Sequence, residues 1–210
     1  KRPTPDPSRS ETTWARSKGR ALFTSGAAVN ETAQKTLFHP FEAGLLELDA
    51  DARVLVLGAP ADMRLPSGFP RSVVAVQGFR PAWLALKARG FDVRTQPAGE
   101  TFDAALVLCG RFRASNETMV GEALRHVRPG GLTVVGGAKQ DGIQSLRKRV
   151  TALLAVEDHA SKHHGIVFWL ERPEDADAER AALALEHGPV EIEDGFVTGP
   201  GMFSSDAVDP

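Results

Sequence analysis

Cys109 is the only cysteine in the chain, and it closes the apolar run 103–109 (DAALVLC). Flanked that way, its thiol reads as a small core residue rather than a nucleophile. A single cysteine allows no internal disulfide, which suits a reducing cytoplasm. His159, His163 and His164 are spaced closely enough to suggest a metal. They fall in a loop expected between two strands, with no cysteine or carboxylate set to complete a site, so no metal is expected. Two basic groups remain. Phe112 lies between Arg111 and Arg113; either it stacks on a nucleobase while the arginines meet phosphates, or it packs under a surface loop. Lys139, Arg147, Lys148 and Arg149 cluster in residues 136–150. Either they meet RNA phosphates, which would make binding salt-dependent, or they form a solvated helix face.

The elements that would position these side chains follow from apolar periodicity. Residues 53–58 (RVLVLG), 72–77 (SVVAVQ), 103–109 and 132–136 (LTVVG) are short runs of the kind buried on both sheet faces. Helical stretches separate them: 81–89 ending on Gly90, 116–127 capped by Asn116, and 141–154. Residues 31–48 carry a helical stripe that Pro40 should kink. Residues 155–159 and 166–172 read as a terminal pair of strands, and Trp83, Phe168 and Trp169 as packing residues. Residues 1–18 are polar and proline-rich, and 20–24 read as a short strand. Strands alternating with helices give right-handed parallel crossovers and an open, doubly wound sheet with 53–58 central.

Composition narrows the classes. At 210 residues and 42% hydrophobic the chain can bury a core as one domain with tails. It has no apolar stretch near the ~20 residues a spanning helix needs, so no membrane partner is expected. Its formal charge of −2 hides an asymmetry. Residues 1–172 hold 24 Lys+Arg against 17 Asp+Glu, and residues 173–210 hold one against ten. A basic body is compatible with nucleic acid without requiring it.

Two local patterns favour the methyltransferase version of this fold: a helix closed by Arg128-Pro129-Gly130-Gly131 before the 132–136 strand, and the terminal strand pair. The cofactor signature is missing. The first strand runs into Gly58-Ala59-Pro60-Ala61-Asp62, with one glycine where two or three would line a ligand with amides, and a proline that removes a donor. The second strand ends in Gln77-Gly78 rather than in an acid for ribose hydroxyls. Asp62 is either a replacement ligand or a solvated loop acid. No catalytic residue is expected.

Residues 31–210 resemble the amino-terminal, decayed methyltransferase-like domain of the small-subunit rRNA guanine-N2 methyltransferases. The stretches that carry it are QKTLFHPFEAGLLELD, ALVLCGRFRASNETMVGEALRHVRPGG, VVGGAKQDGIQSLRKRV, KHHGIVFWLERP and the final GFVTGPGMFSSDAVDP. The last is similar to the linker that opens that family's catalytic half. The active domain of such enzymes carries an Asn-Pro-Pro-aromatic turn after its fourth strand; here that strand runs into Cys109-Gly110-Arg111-Phe112-Arg113.

The resemblance implies a Rossmann-like class I methyltransferase fold, α/β, doubly wound and mostly parallel with an antiparallel edge pair. It implies an unmatched lead-in over 1–30, a methyltransferase-like domain over 31–173, and over 174–210 a linker and the start of a missing catalytic domain. This half would be silent, supporting that catalytic domain in the cytoplasm and contacting ribosomal RNA or the small ribosomal subunit. S-adenosylmethionine would belong to the parent protein, with none for this half alone; Phe203, Ser204 and Asp209 would lie near it in the intact protein. The alternatives from other classes are a stand-alone small-molecule methyltransferase and a protein-interaction module.

Overall fold

The run RVLVL forms the strand expected of it, β1 (Arg53–Leu57), buried on both sides. Val54 and Val56 enter one core cluster, while Leu55 and Leu57 enter the other. In this computed structural model, which describes residues 31–188, 190–191 and 197–198, the remaining strands are β2 (Ser72–Val76), β3 (Asp92–Arg94), β4 (Phe102–Leu108), β5 (Val127–Ala138), β6 (Asp158–Lys162) and β7 (Gly165–Glu171). They form one seven-stranded sheet, ordered β3-β2-β1-β4-β5-β7-β6. β7 runs antiparallel to β5 and to β6, and the other pairings are parallel. This is the mostly parallel, Rossmann-like class I methyltransferase sheet with its antiparallel edge pair.

Helices cover both faces, as a doubly wound sheet requires. α1 (31–42) and α2 (Arg80–Ala88) lie on the Val54/Val56 face, where Leu37, Phe38 and Leu86 are buried. α3 (Arg113–His126), α4 (Ile143–Thr151) and α5 (Asp175–Leu185) lie on the other, packing Val120, Leu124, Ile143, Val150 and Leu185 against Val107, Val135 and Phe168. α1 sits close to the sheet: a side chain at Gly136 would come within 3.0 Å of Leu37 Cα.

The structure departs from the sequence expectation in several places. The β1–β2 crossover, residues 58–71, contains no helix. Pro60, Pro66 and Pro70 each remove an amide donor there, and Met63 and Phe69 fill the helix's place, Phe69 edge-on to Phe38 at 5.5 Å and to Phe41 at 5.3 Å. α1 stops at residue 42, so Pro40 lies in its last turn and no kink interrupts the stripe. α3 starts at Arg113, and Asn116 lies inside it rather than capping it. α3 passes directly into β5, so Pro129-Gly130-Gly131 is an irregularity within that strand, where the register to β4 shifts. The edge strand is 158–162, which places His159 in β6; His163 and His164 form the two-residue turn into β7 with φ of 50° and 57°.

The carboxyl-terminal part also differs. Its Ala-rich composition hides a helix: α5 buries Ala178, Ala181, Ala182 and Leu185, so the core continues past residue 173. Arg172 anchors it, donating from Nε to the Leu124 carbonyl at 2.9 Å and pairing with Asp175 at 2.6 Å. Residues 195–210 show no strand periodicity, yet Val197–Thr198 pairs antiparallel with Val190–Glu191. The expected strand at 20–24, the lead-in, and the rest of 195–210 lie outside the described residues. No helix among the described residues is long and apolar enough to cross a membrane.

Candidate functional site

In an open α/β sheet the ligand crevice lies beyond the carboxyl ends of the strands where strand order reverses. Here that point lies between β1, which continues to β2 on one side, and β4 on the other. A cleft of about 670 Å³ opens there, floored by Leu57, Val76 and Leu108 and walled by the loops after β2 and β4.

Gly58 ends β1 with φ +73°. A methyl group on it would sit 2.5 Å from the Leu108 carbonyl oxygen and 3.3 Å from Met119 Sδ. The glycine at the expected ligand turn therefore lets β1 approach β4. Irregular chain follows it rather than a helix N-terminus, so no row of helical amides faces the cleft from that side.

Each wall is pinned by an amide side chain. Gln77 donates from Nε2 to the Ala59 carbonyl at 2.7 Å and accepts the Phe79 amide at Oε1, 2.8 Å away. It braces the β1 and β2 exits against each other and fixes Phe79. Across the cleft, buried Asn116 accepts the Gly110 amide at 2.9 Å and donates to the Gly110 carbonyl at 2.7 Å, which sets the course of Gly110-Arg111-Phe112. Phe79 is 67% exposed and Phe112 40%, and both line the cleft. No Asp or Glu does among the described residues; Arg111 is the charged group on the lining.

Arg111 also acts on Asp141, a buried residue in the single 3-10 turn after β5. Burial pushes the Asp141 carboxyl above its ordinary range, with Arg111 and the Ala138 backbone opposing. Burial pushes the neighbouring Cys109 thiol far up, and Asp141 adds to the shift, so Cys109 is the inert core thiol its flanks suggested.

The structure separates the basic candidates. Arg111 and Phe112 lie on the cleft, and Lys139 and Lys148 are exposed. Arg113 and Arg149 are engaged elsewhere. Both pair with Glu117, at 2.7 Å and 3.2 Å, and His187 Nε2 approaches the same carboxylate at 2.6 Å. Arg149 also donates to the Ala184 carbonyl at 2.7 Å. Arg147 is half-buried, its Nε without a hydrogen-bond partner among the described residues. Sequence reasoning missed Glu117 and Asp141, single acids in otherwise ordinary helical and turn contexts, and assigned Asn116 the wrong role. It also left Phe79 unremarked. Phe203, Ser204 and Asp209 lie outside the described residues. Asp62 is exposed in the irregular crossover and is not on the cleft. The His163 ring meets His39 edge-on at 6.0 Å, and no group of three or more His, Cys, Asp or Glu among the described residues could hold a metal ion.

No family model and no curated protein matches the chain. Among solved structures it is similar to the T. thermophilus 16S rRNA N2 methyltransferase solved in complex with AdoMet and guanosine. The TM-score is 0.58 at 23% identity, covering 87% of this chain and 49% of that one. The chain thus spans about half the length of that protein. It is also similar to the ribosomal protein L11 methylase of Lactobacillus delbrueckii subsp. bulgaricus, with a TM-score of 0.52 at 10% identity, covering 69% of this chain and 81% of that one. At these identities the likeness establishes the methyltransferase fold.

Proposed function

We propose that this chain is the non-catalytic half of an S-adenosylmethionine-dependent rRNA guanine-N2 methyltransferase. It supports a catalytic half that holds the cofactor, and it contacts ribosomal RNA of the small subunit in the cytoplasm. The observation that carries the reading is the cleft at the switch point: its lining has no carboxylate among the described residues, and Gly58 at the end of β1 is spent on packing against β4. S-adenosylmethionine brings ribose hydroxyls that need an acceptor, and a sulfonium and an ammonium that need negative or neutral surroundings. Gln77, its amide already bonded to Ala59 and Phe79, offers the hydroxyls no carboxylate, and the Arg111 guanidinium repels both cations. The residues do not fit that cofactor. The sequence resemblance and the half-length match to the T. thermophilus enzyme support assigning the chemistry to a second domain.

The test is isothermal titration of the chain with S-adenosylmethionine. No binding tighter than about 10 μM, roughly −7 kcal/mol, is expected. A dissociation constant at or below that range would make the cleft a working cofactor site and return the stand-alone enzyme as the better reading.

A further inference from the structure

We propose that the switch-point cleft is a nucleotide site, taking one unstacked nucleobase between Phe79 and Phe112 with its phosphate toward Arg111. The inference rests on the RNA-contacting role above and gives it a place and a ligand chemistry.

The aromatic rings come first. Among the described residues the exposed large apolar side chains are Leu45, Phe79, Leu84, Phe112 and Leu183. The two aromatic ones line the same concavity. Exposing a phenyl ring costs free energy unless something covers it, and flat rings at the lip of a cleft suit a flat, polarisable ligand. At about 670 Å³ the cleft falls within the range of small-molecule sites.

Charge then selects among flat ligands. With Arg111 and no acid on the described lining, a cationic ligand is disfavoured and an anionic one favoured. A nucleobase carrying a phosphate meets both conditions.

Preorganisation is the third argument. Gln77 fixes the Phe79 wall through two hydrogen bonds, and buried Asn116 fixes the Arg111-Phe112 wall through two more. Neither loop has to be ordered on binding, which removes part of the usual entropic cost. The same chemistry can come from a free mononucleotide or from single-stranded RNA, and the two are distinguishable.

Met119 on the cleft and fully buried Met63 in the opposite core cluster provide a reporter and an internal control. The experiment uses the whole chain with methyl-labelled methionine, titrated with guanosine monophosphate, with a short single-stranded RNA, and with S-adenosylmethionine. The expected result is a shift of the Met119 methyl resonance with the mononucleotide and with RNA, while that of Met63 stays. RNA should bind more tightly than the mononucleotide. Phe79→Ala and Phe112→Ala should each weaken RNA binding roughly tenfold, within the range of base-aromatic stacking, and Leu84→Ala, on an exposed face away from the cleft, should not. Binding of the mononucleotide alone at Met119 supports the site and overturns the RNA role. RNA binding that leaves Met119 unmoved and ignores both phenylalanine substitutions supports the RNA role and overturns the site. No response to either nucleotide ligand, or a response to S-adenosylmethionine alone, overturns the inference.

Discussion

Gly58→Ala should cost about 4 kcal/mol, much of the ~5–15 kcal/mol that holds a domain of this size. Two penalties combine. The backbone at Gly58 has φ +73°, a region that costs an L-residue about 1–3 kcal/mol. The new methyl would also lie 2.5 Å from the Leu108 carbonyl oxygen, a backbone atom held in β4, and such overpacking typically costs about 1–3 kcal/mol more. Relief would require β1 and β4 to part at the floor of the cleft. Gly78 is the control, because it lies on the same cleft and a side chain there meets nothing within 4 Å. Urea denaturation should show a large drop in midpoint for Gly58→Ala with an unchanged slope, and a change within about 0.5 kcal/mol for Gly78→Ala. If Gly58→Ala stays within about 1 kcal/mol of wild type, the close approach of β1 to β4 is not what this glycine serves.

That glycine shows why the sheet was legible in the sequence and the cleft was not. Strand position follows from local composition: RVLVL and LVL can be buried on both faces only inside a covered sheet. The antiparallel return of β7 follows from the two-residue turn that joins its apolar run to β6. A crossover is different. Residues 58–71 still bury Met63 against the sheet, but three prolines leave no helix to carry it, and no periodicity marks such a loop. α5 escaped for the opposite reason. Its buried face is three alanines and Leu185, which beside so many acids reads as tail composition. Only contact with α3 shows it to be core: a side chain at Gly121 would press within 3.1 Å of the Ala182 carbonyl.

At the site, sequence supplied residue types and the structure decided their partners. Gln77 read as the absence of an acid, whereas its amide braces two loops. Asn116 read as a helix cap because Asn is favoured there; buried one turn later, it satisfies both backbone groups of Gly110 instead. The sequence offers Arg113 to a phosphate beside Phe112, and Arg149 either to RNA or to a solvated helix face. They belong to different helices that converge on one carboxylate, which His187, 70 residues along the chain from it, also meets, and no local pattern reveals that.

Replacing that carboxylate should therefore have a measurable, pH-dependent effect. Glu117 lies on α3 with its side chain 1% exposed, facing Arg113 on its own helix, Arg149 on α4 and His187 beyond α5. Burial alone would raise its pKa. The hydrogen bonds from Arg113 and His187, with the charges of Arg113 and Arg149, outweigh burial and hold it below its ordinary 4.5. The sign follows. A folded-state pKa below the unfolded one means that the stabilisation is full above about pH 4.5 and is lost as pH falls through the folded value. Glu117→Gln keeps the volume and removes the charge, at a cost of about 2 kcal/mol near neutral pH, in line with losing hydrogen bonds between charged groups. The cost stays below that of stranding a buried charge, because Arg113 and Arg149 are exposed enough to be solvated. Urea midpoints of both proteins at about pH 7, 5 and 3 provide the measurement. Wild type should be the more stable at the upper two values, and the gap should close toward pH 3. A gap that persists unchanged at low pH would mean that the carboxylate's ionisation contributes nothing, and that Glu117 holds α3, α4 and the end of α5 together by shape alone.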